Sequence, residues 1–199
     1  MNNLIEKIKT AATKKERVEL LKTLIKKRDE PRHPVDVEAD TLMDRIGKWR
    51  SRYGSFDLNP EFQRGHVWTT LDQQKYIEAL LRGTLPRQAK TITLNICGWH
   101  GVEPTGDLPK GGLCIDGLQR ITALEAFKNK QITVFGGLDV DDLADTSFAI
   151  EEQLIHIAIY DYQQYKDVLD LYIDMNDSGV AHTQEEIERV KLIRQKVAE

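Results

Sequence analysis

The chain has 199 residues, of which 40% are hydrophobic and 30% are charged. This composition is typical of a globular protein and excludes a fibrous or wholly disordered chain, and the length suits one sizeable domain rather than two full enzyme domains. The net charge of -4 hides a segregation, because residues 1–28 carry nine Lys or Arg against three acids whereas residues 136–188 carry one Lys against fourteen acids. A polyanion is therefore expected to bind the front of the chain.

The front half of the sequence predicts helices separated by loops. Apolar residues that recur every three or four positions predict helices over 1–28, 40–53 and 71–82. The segment PRHP at 31–34 is expected to end the first helix. The segment 56–68 has loop character, because Pro60 and Gly65 interrupt any regular pattern.

The rear half mixes strands with helices. Apolar runs and alternation predict strands at 91–97, 113–115, 132–135 and 154–160. Helices are predicted from 118 onward, over 163–175, and from a capping box at Thr183 and Glu186 to about 197. Because helices and strands do not alternate strictly, the sequence predicts an α+β fold, with a basic helical extension at 1–35 and one domain at 36–199.

Cysteine usage and hydropathy predict the compartment. Cys97 and Cys114 are too few for a disulfide framework and lack the spacing of a zinc site. No segment approaches the roughly 18 consecutive apolar residues of a membrane span, and the first residues lack the apolar core of a signal peptide. We expect a cytoplasmic protein without a membrane partner.

The segment Asp116-Gly117-Leu118-Gln119-Arg120 follows a predicted strand and opens a predicted helix. One interpretation is structural: Asp116 caps the helix, Gln119 completes a capping pair and Arg120 is a solvated charge. The other is functional, because a glycine-led helix N-terminus after a strand offers unpaired N–H groups to a phosphate. Arg120 would then clamp the phosphate, and Asp116 would hold Mg2+ or orient a water. Spacing alone leaves both interpretations open.

A second candidate site is the loop from Phe62 to Trp68. Arg64 and His66, together with Trp68, can bind a phosphate and stack on a nucleic-acid base. The alternative is a loop anchored in the core by Phe62 and Trp68, with Arg64 in an internal ion pair.

Two further features favour structural roles when taken alone. The segment Asn176-Asp177-Ser178-Gly179 is typical of a helix stop. His156 lies inside an apolar strand and is expected to be a core histidine with satisfied hydrogen bonds.

These motifs gain specificity as an ordered set. In this order the motifs resemble the N-terminal domain family of GmrSD-type modification-dependent restriction systems. They are QRxxVW at 63–68, LRG at 81–83, IDGxQRITAL at 115–124 and MNxSGxxxTxxE at 175–186. That family belongs to the ParB/sulfiredoxin-like superfamily and is often described as ParB-like nuclease. The resemblance covers roughly residues 40–190.

The resemblance implies a small mixed sheet with surrounding helices that binds a nucleotide or DNA phosphate and accompanies NTP hydrolysis and DNA cleavage. By position, the motif roles fall on seven residues: Asp116, Gly117, Gln119, Arg120, Gln63, Arg64 and Asn176. One departure is Leu118, where the family usually has a second glutamine. A second is the absence of the HNH-type nuclease centre that cleaving relatives often carry further on, so cleavage is expected to need a separate nuclease or effector protein.

The leading hypothesis is a magnesium-dependent phosphohydrolase, an NTPase or DNA nuclease acting in DNA metabolism or in restriction or anti-restriction. Arg120, Arg64, Gly117 and His66 would hold the phosphate, while Asp116 and Gln119 would place metal, water or base. The alternative is a non-catalytic nucleotide or DNA sensor within a larger nucleic-acid machine. A third hypothesis is a protein-protein adaptor that uses the acidic 136–188 surface.

Overall fold

The computed structural model describes residues 2–63, 65–99, 101, 103–177 and 184–197, and its contacts divide the chain into two units, 1–30 and 31–199. The first unit holds α1 (Asn2–Thr10) and α2 (Lys14–Leu24), so the prediction of one helix over 1–28 is wrong. The break has a local cause. The Thr13 side chain accepts a hydrogen bond from the Glu16 amide, and the Glu16 carboxylate accepts one from the Ala12 amide, so a new helix begins there.

Five strands of the second unit form one mixed sheet in the order β1-β5-β3-β4-β2. They are β1 (His33–Glu38), β2 (Ser55–Asp57), β3 (Thr91–Cys97), β4 (Gly111–Asp116) and β5 (Leu154–Tyr160). The pairs β1–β5 and β3–β4 are antiparallel, and the pairs β5–β3 and β4–β2 are parallel. The strands predicted at 91–97, 113–115 and 154–160 are confirmed, and so is the α+β class.

Two predictions about strands are wrong. The sequence predicts only a helix end at PRHP, whereas β1 begins there; Pro34 is tolerated because β1 is an edge strand that pairs on one side only. The predicted strand 132–135 is reduced to a single bridge between Val134 and Leu138. Residues 135–137 all have positive φ and reverse the chain before any ladder can form.

Helices cover both faces of the sheet. On one side are α3 (Leu42–Tyr53), α4 (Thr70–Leu81) and α5 (Leu118–Lys128), and on the other are α6 (Tyr165–Asp177) and α7 (Gln184–Val197). Successive strand residues point to opposite faces, so β3 sends Ile92, Leu94 and Ile96 into the first core and Cys97 into the second. These helices agree with the sequence predictions, although Thr183 of the predicted capping box lies outside the described residues.

The second face of the sheet is apolar at one end and polar at the other. Cys97 and Ile115 pack against α6 and α7 in the second core. At the opposite end the same face presents Thr91, Thr93 and His156, which border a cavity instead of a core. The fold thus leaves a polar pocket where the α6–α7 layer ends. Within the described residues, no helix is both long and apolar enough to cross a membrane.

Candidate functional site

The cavity at the polar end of the sheet has a volume of about 550 Å³. It is lined by Arg87, Gln88, Thr91, Thr93, Asp116, Arg120, His156, Met175 and Asn176. Three residues that the sequence predicts as site residues, Asp116, Arg120 and Asn176, therefore meet in one place although they are up to 60 positions apart. Gly117, Gln119, Gln63 and His66 are not among the lining residues.

Asp116 ends β4 beside the cavity because the register between β3 and β4 slips. Leu94 pairs with Cys114, whereas Thr93 pairs with Asp116, so one step on β3 matches two steps on β4. Such a bulge changes the face that a side chain occupies. Cys114 consequently lies in the first core, and the Asp116 carboxylate lies on the polar side with Thr93.

Arg120 is held one turn into α5 by two acceptors. Its Nη1 donates to the Asp116 carboxylate at 3.0 Å and to the Thr91 carbonyl at 2.8 Å. The side chain is only 20% exposed, so these bonds fix it at the cavity wall. Both bonds use Nη1, and the remaining nitrogens of the guanidinium can therefore donate to a bound anion.

Tyr76 of α4 is a buried neighbour of Arg120. Burial raises the pKa of Tyr76 to about 12, and the Arg120 charge opposes part of that rise. The tyrosine is therefore neutral at physiological pH and does not cancel the charge of Arg120. Among these neighbours, Asp116 is the group whose charge balances that of Arg120.

The turn at Gly117 is where the sequence predicts a phosphate cradle. Gly117 has φ of +122°, and a Cβ there would lie 3.0 to 3.2 Å from atoms of Ile92, so the turn needs glycine. The Leu118 amide lies beside the buried Cys114 thiol and favours its charged form slightly. Burial, with a contribution from the nearby Asp116 charge, raises the pKa of that thiol. The use of this turn as a phosphate cradle stays a prediction.

Gln119 connects the DGxQR turn to the front loop. Its Oε1 accepts from the amides of Val67 and Trp68 at 3.0 and 3.1 Å, and its Nε2 donates to the Gly65 carbonyl at 2.7 Å. In this structure the side chain holds the loop rather than a ligand.

Gln63 fixes the same loop from the other side. Its Nε2 lies 2.9 Å from the carbonyl oxygens of both Cys114 and Ile115. Gln73 donates to Nε2 of the exposed His66 at 2.9 Å. Arg64 lies outside the described residues. The front loop and the segment 114–119 are therefore joined by hydrogen bonds beside the cavity.

At the far edge of the cavity, sequence reasoning missed a cluster of Asp36, Arg87 and His156. His156 is the strand partner of Asp36 on β1 and of Thr91 on β3. Its Nδ1 lies 2.7 Å from the Asp36 carboxylate and 2.8 Å from Nη2 of Arg87, which also lies 3.6 Å from Asp36. The predicted hydrogen-bond partners of His156 are present, but its predicted place in the core is wrong, because the side chain borders the cavity.

Asn176 borders the cavity at the end of α6. Its Nδ2 donates to the Tyr172 carbonyl one turn earlier, at 2.7 Å. The side-chain oxygen is the acceptor that Asn176 can offer to a ligand.

The described side chains do not form a metal centre by themselves. No group of three or more His, Cys, Asp or Glu in the described part of the chain is arranged to hold a metal ion. Asp116 brings one carboxylate to the cavity, and Arg120 already binds it. Most of the six oxygen ligands of a Mg2+ ion at this place would therefore have to come from water or from the phosphates of a substrate.

Together, the fold and the cavity define an α+β protein with a five-stranded mixed sheet and a charged polar pocket at one end of it. Comparisons with protein-family models, with curated proteins and with solved structures find no match. The resemblance to the GmrSD-type family stays a prediction based on the ordered motifs.

Proposed function

We propose that the chain is a phosphohydrolase domain that acts on a phosphate of a nucleotide or of DNA. The observation that carries the proposal is the pair of arginines, Arg87 and Arg120, on one cavity with Asp116 and Asn176. Guanidinium groups bind phosphate oxygens in a bidentate manner and stay charged at any physiological pH. The order of the sequence motifs and the basic front of the chain support the same ligand class.

Arg120 and Arg87 would bind the phosphate in different ways, because one side chain is held in place and the other is exposed. Arg120 is held by Asp116 and the Thr91 carbonyl, so it would bind the phosphate without a large loss of side-chain entropy. Arg87 is 66% exposed and would close over the ligand from the opposite side. Stabilisation of the phosphoryl charge by fixed donors is the main source of rate in such reactions.

No catalytic step is assigned to magnesium, because the described residues do not form its ligand set. When bound to the phosphates of a nucleotide, the ion would neutralise charge on the substrate. The protein's own contribution would be the two arginines and the oriented Asp116.

The test is hydrolysis of each NTP and of plasmid DNA, with and without Mg2+, by the full chain. Arg120→Ala is expected to lower kcat/KM at least about 100-fold, the usual effect of removing a donor to the reacting group. The matched control is Arg82→Ala, since Arg82 is exposed directly after α4 and pairs with Glu78. A wild-type chain that hydrolyses none of the substrates contradicts the proposal.

A second candidate function is binding of a nucleotide or DNA without turnover, within a larger restriction or partition machine. It is favoured by Gln63, whose amide bonds to the backbone of β4, by Gln119, whose amide bonds to loop backbone, and by Leu118 in place of the usual glutamine. Stabilisation of the fold by ATP or by a short DNA, lost in Arg120→Ala and without any hydrolysis, would select this function.

A further inference from the structure

Among the described lining residues, His156 is a titratable side chain that the proposed function leaves without a role. We propose that His156 is the general base of the hydrolytic reaction and that Asp36 is its positioning residue. This inference rests on the proposed function and adds to it the group that removes a proton from the attacking water.

The hydrogen bond to Asp36 determines which imidazole nitrogen is free. The Asp36 carboxylate 2.7 Å from Nδ1 only accepts, so this hydrogen bond requires a proton on Nδ1 and leaves the lone pair on Nε2. Arg87 only donates, and the 2.8 Å contact of its Nη2 with Nδ1 fits the opposite tautomer. Our assignment takes the tautomer set by Asp36 and gives the Arg87 donors to the Asp36 carboxylate and to the ligand.

The fold places this base at a useful distance from the phosphate-binding side. His156 pairs with Thr91 across β5 and β3, and Thr93 pairs with Asp116 across β3 and β4. Two strand spacings and a step of two residues along β3 separate the backbones of His156 and Asp116, about 12 Å in all. That span accommodates a phosphoryl group bound to Arg120 with a water molecule between it and Nε2.

Charges from every neighbouring element affect this imidazole. Asp36 on β1 and Arg87 in the turn before β3 lie beside it with opposite charges. Asp116 and Arg120 face it across the cavity as an ion pair of no net charge. His156 is only 12% exposed, so solvent screens these interactions weakly.

The proposed step conserves protons and electrons. The oxygen of water bonds to phosphorus while one of its protons passes to Nε2 of His156. The bond from phosphorus to the leaving oxygen breaks, and its electron pair stays with that oxygen. The leaving oxygen, on the opposite side of phosphorus, takes a proton from solvent, and the imidazolium releases its proton to solvent, which restores the neutral base.

The experiment measures kcat, KM and the pH profile with ATP and plasmid DNA in parallel, on the full chain. His156→Gln is expected to lower kcat about 100-fold or more with little change in KM, and to abolish the rise of activity with pH that a neutral imidazole causes. Asp36→Asn is expected to lower kcat less and to shift that rise. His156→Ala is expected to regain activity when imidazole is added to the solution, which a purely structural histidine would not allow.

The matched control is His33→Gln, because His33 lies on β1 with Asp36 but contacts Trp99. It is expected to keep the wild-type kcat and pH profile, and thermal melting checks that every variant folds. A His156→Gln variant with the kcat and pH profile of an active wild type overturns this inference and leaves the proposed function intact. A wild-type chain without activity overturns both.

Discussion

The amide side chain of Gln119 makes three hydrogen bonds to a loop more than fifty positions away in the sequence. We expect Gln119→Ala to lower the free energy of unfolding by about 2 kcal/mol, because it leaves the amides of Val67 and Trp68 and the Gly65 carbonyl without their partner. Urea denaturation and hydrogen exchange of the two amides measure the effect.

The control for this prediction is Gln131→Ala, which removes an exposed glutamine side chain just after α5. It is expected to change stability by less than about 0.5 kcal/mol. Equal urea midpoints for the Gln119 and Gln131 variants would show that the loop does not depend on these bonds.

At the scale of single residues, the sequence predicts which motifs lie close together in the fold. It predicts less well what each side chain binds. Spacing identifies Gln63 and Gln119 as members of an ordered set, but an amide bonds equally well to a phosphate or to backbone. Only the fold decides between these partners. The position of His156 outside the first core could have been predicted from the sequence. Ile155, Ile157 and Ile159 face that core, and strand alternation places His156 on the opposite face.

At the scale of elements, the N-terminus of α4 carries a pH-dependent cap. Hydrogen bonds from the Thr69 hydroxyl and amide to the Asp72 carboxylate hold the pKa of Asp72 below its ordinary value of 3.8. The unfolded chain therefore binds more protons in that range, and the free energy of unfolding rises with pH there. The contribution is complete above the unfolded pKa and is lost as the pH falls through the folded pKa.

Asp72→Asn is expected to flatten this part of the acid side of the stability profile. Urea midpoints measured between about pH 5 and pH 2 for both proteins give the comparison. Asp44→Asn is the control, since α3 begins without a side-chain cap. If the Asp72 and Asp44 variants lose stability along the same acid profile as wild type, the cap contributes nothing.

Two glycines give opposite predictions for the same substitution. Gly117→Ala is expected to cost at least about 2 kcal/mol, because a left-handed φ is unfavourable for alanine and the new methyl group meets Ile92 at about 3.0 Å. Gly47→Ala is expected to gain up to about 1 kcal/mol, since Gly47 lies within α3 and its added Cβ meets no atom within 4 Å. Thermal melting of both variants tests the pair, and a shift of the same sign in both would contradict it.

Helices and strands could be predicted where the spacing of apolar residues was regular over the whole element. β5 and α4 agree with their predictions because each has a clear apolar face against the first core. The sequence did not predict β1, because this strand pairs with β5, 120 residues further along the chain. No local pattern indicates an edge strand that contains proline. The strand predicted at 132–135 failed for a related reason. Its apolar run has no neighbouring strand to pair with, and the chain forms a turn there instead.

At the scale of the whole molecule, the charge segregation is partly compensated by the fold. Acids of the segment 136–188 pair with bases from elsewhere, as Asp161 does with Arg32 and Asp170 with Arg194. The first unit behaves differently, because α2 buries none of its side chains and keeps its lysines at the surface. The charge sum of each segment follows from the sequence, whereas its availability to a polyanion depends on these pairings.

We therefore expect the first unit to bind DNA phosphates in a way that does not depend on base sequence. Replacing both Lys14 and Lys15 by Gln should reduce the slope of log affinity against log salt by about 0.9 for each phosphate that a lysine no longer neutralises. The matched variant replaces Lys48 and Lys75, two exposed lysines of the second unit, and should leave the slope nearly unchanged. Fluorescence anisotropy with a short duplex at several salt concentrations measures both. Because the arginines of the cavity would bind one phosphate in either variant, equal slopes would assign DNA binding to the second unit alone.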